Sequence, residues 1–146
     1  MDNFEKRNKY EILMSKLNEA TYSEFYYEAI FIEYAIIEDR TESILKHAEI
    51  RCDDNTKLEG KLNKIKSNPK FENKYCKKHI NNEFIEEIRE WKNLRNSLIH
   101  ALIKSKYSND DIKNVALQGE CIAKKLANKS KLVNNYFDKQ IKAPNM

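Results

Sequence analysis

Two glycines (Gly60, Gly119) and two prolines (Pro69, Pro144) are all that the 146-residue chain contains, far below the roughly 7% and 5% of an average sequence. A β-sandwich or barrel needs a turn signal about every 10 residues. A nucleotide-binding α/β fold needs glycines where backbone meets phosphate, so both architectures are close to excluded. No apolar run approaches the roughly 18 residues that span a bilayer, and no basic start is followed by an apolar stretch. The expectation is a cytoplasmic protein with no membrane partner. Three cysteines, Cys52, Cys76 and Cys121, are widely spaced and form no CxxC pair, which suggests neither a disulfide framework nor a zinc site. No clustered set of Asp, Glu and His offers itself as a catalytic metal site, so neither metal nor other cofactor is expected.

What the chain does have is Glu, Lys, Leu and Ile in abundance, the residues of long helices. With 40% hydrophobic and 34% charged residues it can bury one sizeable core, and its length fits a single domain over 1–146. Charge is unevenly spread. Residues 21–50 hold seven acids against Arg40 and Lys46, a local balance of −5. Residues 61–78 hold seven lysines against Glu72, giving +6, and residues 121–142 hold six against Asp138, giving +5. Lysines of this kind either solvate helix faces or bind phosphate, and composition alone does not choose between the two.

Thr21 and Glu24 form the T-x-x-E pattern of a capping box, predicting a long helix from there to about Ile50. At about 100° per residue its apolar sector holds Tyr22, Tyr26, Ala29, Ile36, Ile37 and Ile44. Glu33, Arg40 and His47, seven apart, lie in the same sector and are expected to point inward or into an interface. A second long helix is expected from about Ile80 to Lys104, with a stripe of Ile80, Phe84, Ile88, Trp91, Leu98 and Leu102. Arg95 occupies the gap in that stripe, where a guanidinium is costly unless paired or serving a ligand. Ser108 and Asp111 open a third long helix, whose buried face is Ile112, Val115, Ala116, Gly119, Ile122, Leu126 and Val133, running to about Lys139 with a frayed end beyond. A shorter N-terminal helix over 3–19 and a short one near 56–66, followed by a loop at Pro69, complete an all-α antiparallel bundle of four to five helices.

The second long helix carries Arg95-Asn96-Ser97-Leu98-Ile99-His100, an R-N-x-x-x-H arrangement. It resembles the HEPN superfamily, small all-helical domains whose R-x(4–6)-H motif serves metal-independent endoribonucleases, and the polar residue after the arginine, here Asn96, is a further likeness. The resemblance covers this hexad as motif and most of the chain as architecture. It implies a HEPN-like fold, catalytic roles for Arg95, Asn96 and His100, an RNA substrate, and a homodimer that brings two such motifs to one cleft. It also implies a toxin or abortive-infection effector held in check by an antitoxin or another defence-system partner protein. Toxins of this family paired with nucleotidyltransferase antitoxins can carry R-x4-H-x-Y, whose tyrosine receives the neutralising nucleotide. Here Leu102 stands in that place, so any partner would inhibit differently.

The residues point to the same chemistry independently. Metal-free RNA cleavage needs a base for the 2′-hydroxyl proton, an acid for the departing 5′-oxygen and a fixed positive charge for the phosphorane. Histidine as a residue type can exchange a proton in the neutral range and arginine does not give up its charge, so His100 and Arg95 are candidates for these complementary roles. Five residues apart, they diverge by about 140° on one helix. Asn96, one turn before His100, can orient the imidazole or bind a phosphate oxygen. Arg40 and His47 also match R-x6-H, but Thr41 replaces the polar residue, and an ion pair with Glu33 or a partner subunit is the more ordinary role for Arg40. Glu33 is a candidate acidic companion of the site: a hairpin register about residue 65 places it opposite Ser97, within reach of Arg95 or His100. The competing class is a non-catalytic HEPN-like module that docks nucleic acid or a protein through its lysines.

Overall fold

Helices begin where a short polar side chain stands in for absent turn partners. The computed structural model describes residues 2–102, 104 and 107–142. Among these it contains six α-helices and no strand: α1 (Asn3–Tyr22), α2 (Tyr26–His47), α3 (Leu58–Ser67), α4 (Lys74–His79), α5 (Asn82–His100) and α6 (Asn109–Lys142). Asp2 caps α1 by accepting from the Glu5 amide at 2.8 Å, and Asn81 does the same for the Phe84 amide of α5. The capping box read at Ser108 is present in full. The Asp111 amide donates to Ser108 Oγ, and the Ser108 amide donates to the Asp111 carboxylate at 3.0 Å.

The box read at Thr21 and Glu24 is not formed. Thr21 belongs to α1, and the chain reverses immediately after it. The Glu24 amide donates to the Thr21 carbonyl and the Phe25 amide to the Ala20 carbonyl, a Schellman closure that requires a left-handed residue, which Glu24 supplies at φ 62°. The helical phase is therefore reset between the two helices, and Tyr22, expected to be buried, is 91% exposed. α2 ends the same way, with Glu49 left-handed at φ 57° and the Ile50 amide bonded to the Leu45 carbonyl.

Six helices replace the expected four to five because α4 was not anticipated. Its six residues contain no apolar repeat, and it is started by Asn73, whose side chain accepts from the Cys76 amide at 2.8 Å, just after a 3-10 turn at Pro69–Phe71. α5 stops at His100, short of Lys104, and Leu102 is exposed; residue 103 lies outside the described set. α6 stays helical beyond Lys139 to Lys142, and residues 143–146 lie outside the described set. No helix among the described residues is long and apolar enough to cross a membrane.

The chain gathers into two compact units, Met1–Ile36 with Glu90–Ala123, and Ile37–Arg89 with Lys124–Met146. In the first, Leu17, Ile30, Trp91, Leu98, Ile112 and Ile122 are buried, and the Trp91 indole N–H donates to the Val115 carbonyl at 2.9 Å. Gly119 lets α6 come close here: a Cβ at that position would lie 2.6 Å from Trp91 Cζ2 and would also strike the Glu33 carboxyl. In the second, Ile37, Ile44, Leu62, Phe71, Ile88 and Val133 are buried. Lys61 is buried with them, its ammonium 3.9 Å from Glu38 and 3.7 Å from Glu42. Arg89 is held by Glu59 at 2.8 Å, by Asn63 at 2.7 Å and by Glu86.

Candidate functional site

The hydrophobic phase of α5 buries Trp91 and Leu98, which leaves Arg95 on the margin of the apolar sector, half-buried. Its guanidinium lies over the Tyr34 ring of α2, 3.9 Å from the centroid, an attraction of about 0.5 to 2 kcal/mol depending on desolvation. One Nη donates to Asn96 Oδ1 at 3.0 Å. Nε is buried without a hydrogen-bond partner. Arginine is thus held on two sides, by a ring face and by the amide next to it in sequence. Asn96, read as orienting the imidazole or binding a phosphate oxygen, directs its carbonyl oxygen to Arg95. His100 is the last residue of α5, and its side chain is exposed.

Glu33 is fully buried. Both of its carboxyl oxygens are without a hydrogen-bond partner, and one is in contact distance of the space above Gly119, beside the Trp91 ring. Burial, followed by repulsion from Glu120, pushes its pKa up from 4.5 to about 9, so the group is a neutral acid at pH 7. The hairpin register had set Glu33 opposite Ser97. It meets Trp91 instead, because residues 51–79 form α3, a 3-10 turn and α4 rather than a simple connection centred at residue 65.

Arg40 and His47 belong to the second unit. Arg40 makes a two-nitrogen contact with the neighbouring Asp39, at 2.7 and 3.1 Å, and His47 Nδ1 lies 2.6 Å from Asp138 on α6. Thr41, which follows Arg40, is buried and returns its hydroxyl to the Ile37 carbonyl at 2.7 Å. Arg95, Asn96, His100 and Glu33 all fall in the first unit.

No protein-family model, curated protein or solved structure matches the chain. The chemistry of the site therefore rests on its residues. Among the described residues no group of three or more His, Cys, Asp and Glu is placed to hold a metal ion. Three participants were not singled out in the sequence: Tyr34 as the platform of Arg95, Glu120 as the charge facing Glu33, and Asp138 as the partner of His47. Tyr34 alone carried a signal. It is an aromatic in the same part of α2 as Glu33, but its role needed the packing of α2 against α5.

Proposed function

We propose that this protein is a HEPN-type, metal-independent endoribonuclease that acts as a homodimer, in the manner of a toxin or abortive-infection effector restrained by a partner protein. The observation that carries the reading is the pairing of a pre-positioned guanidinium with an exposed imidazole on one helix: Arg95 held by Tyr34 and Asn96, and His100 open to solvent at the helix end. In the reaction, a histidine takes the proton of the 2′-hydroxyl, the 2′-oxygen attacks phosphorus, and the 5′-oxygen leaves with a proton from a second acid. Arg95 stabilises the charge on the phosphorane oxygens. The products are a 2′,3′-cyclic phosphate and a free 5′-hydroxyl. One chain supplies one His100, and a second copy supplies the other proton-transfer group.

Exposed apolar side chains in the first unit support the dimer. Tyr27 and Phe31, one turn apart on α2, are 46% and 72% exposed, and Ile99 and Leu102 flank His100 with 41% and 47% exposure. The test is incubation of RNA with purified protein in EDTA beside the Arg95→Ala and His100→Ala variants. Cleavage to cyclic phosphate ends, lost by a factor of 100 or so in each variant, is the expected result. Abolition by EDTA, or undiminished cleavage by both variants, overturns the reading. Salt-sensitive RNA binding without turnover assigns the chain to the non-catalytic binding class. Expression of the intact chain is expected to slow cell growth, and expression of either variant is not.

A further inference from the structure

The second unit joins the two lysine-rich segments of the sequence around a cluster of rings. Tyr75 of α4 stacks on Tyr136 of α6, with centroids 5.3 Å apart and planes 17° from parallel. His79, one turn after Tyr75, meets that tyrosine edge-on at 4.8 Å, and Tyr136 continues edge-on into Phe137 at 5.3 Å. Tyr75 remains 38% exposed, which leaves aromatic surface open to solvent. Lys74 and Lys78, both exposed, stand beside Tyr75 and His79 on α4, and exposed Lys139 lies about one turn past Tyr136 on α6. Lys129, two turns before Tyr136, comes near enough to His79 that burial, Lys78 and Lys129 together hold the imidazole pKa below its usual range. The acids of these segments are already engaged, Glu72 with Lys77 at 3.3 Å and Asp138 with His47.

Next to Tyr136 opens a cavity of about 410 Å³, walled by Tyr136, Phe137 and Ile141 and edged by Lys70, Gln140 and Glu49. Lys70 is fixed at the rim by donating to the Ala48 carbonyl at 2.6 Å. Flat apolar walls with a few donors and acceptors at the margin suit a planar heteroaromatic ring. Cations around a partly exposed aromatic cluster suit the backbone and bases of an unpaired strand, whereas a duplex keeps its bases out of reach of such rings.

We propose that this face of the second unit docks single-stranded RNA, with one base in the cavity against Tyr136, another against the exposed part of the Tyr75 ring, and the phosphates along Lys74, Lys78, Lys129 and Lys139. The proposal deepens the ribonuclease reading by naming the form of the substrate and where it is held, on residues separate from Arg95 and His100. It is tested by fluorescence anisotropy of a labelled single-stranded RNA of about 12 nucleotides, using the full chain with His100→Ala so that the probe stays intact. Tyr136→Ala is expected to weaken binding about tenfold, the loss of one stacked base, and Tyr136→Phe to leave it within about twofold. Tyr75→Ala, at a ring that is 38% exposed, is expected to weaken binding similarly, with the helical circular dichroism unchanged. Lys74→Gln, Lys78→Gln and Lys139→Gln together are expected to lower the slope of log affinity against log salt by about 2, at roughly 0.7 for each single-strand phosphate contact. Unchanged affinity in both tyrosine-to-alanine variants, equal binding of a duplex, or no binding overturns the proposal. Binding with these dependences but no cleavage by the parent chain removes the catalytic reading and leaves the docking surface. Cleavage with binding indifferent to these residues does the reverse.

Discussion

At the scale of single residues, the buried acid is the sharpest feature. Glu33 has its pKa raised from 4.5 to about 9, so the folded chain keeps a proton that the unfolded chain releases above about pH 4.5. Folding then binds a proton across that window, and the contribution of Glu33 to stability is complete below 4.5 and lost as pH rises toward 9. The melting temperature is expected to fall between pH 5 and pH 9. Glu33→Gln, which keeps the shape of the neutral acid, is expected to flatten that slope and to melt higher than the parent at pH 8. A scanning calorimetry series across this range decides it, and an unchanged slope in the variant places the carboxylate in water. The same variant reads function: retained cleavage makes Glu33 a structural acid beneath Trp91, and lost cleavage with an intact fold makes it a positioning residue of the site. Arg95 and Glu33 were legible in the sequence because each breaks an apolar sector. Their partners were not, since Tyr34 is one aromatic among several on its helix and Glu120 one acid among many until packing brings them near.

At the scale of elements, the close approach at Gly119 and the cap at Ser108 make opposite demands on α6. Alanine at position 119 would gain about 1 kcal/mol of helix propensity, but its methyl group would press on Trp91 and the Glu33 carboxyl, and overpacking of that kind costs about 1 to 3 kcal/mol. The steric term wins, so Gly119→Ala is expected to lower the denaturant midpoint at unchanged slope. Ser108→Ala removes half of a reciprocal cap and is expected to cost about 1 kcal/mol in the same urea titration. The long helices were readable because a period near 3.6 repeats over many turns; every residue read into the buried face of α6, from Ile112 to Val133, is buried. What failed was read from too few residues. The pattern T-x-x-E at Thr21 competes with a reversal stabilised by backbone bonds alone, and α4 has only Asn73 to announce it.

At the scale of the whole molecule, the proposed dimer is open to direct measurement. Light scattering at tens of micromolar is expected to give twice the 17.4 kDa of one chain, and Phe31→Glu, at a ring that is 72% exposed, is expected to shift the protein toward monomer and lower cleavage with it. A monomeric parent with full activity contradicts this. The two Schellman closures offer a different kind of probe. Each places a glutamate where the backbone favours glycine and where a negative charge faces the negative end of a helix. Glu24→Gly and Glu49→Gly are each expected to add about 1 kcal/mol. Since Glu24 belongs to the first unit and Glu49 to the second, the pair works as two thermal labels. If the units unfold cooperatively, either substitution moves one shared transition and the double variant moves it by the sum; if they unfold separately, each displaces only its own.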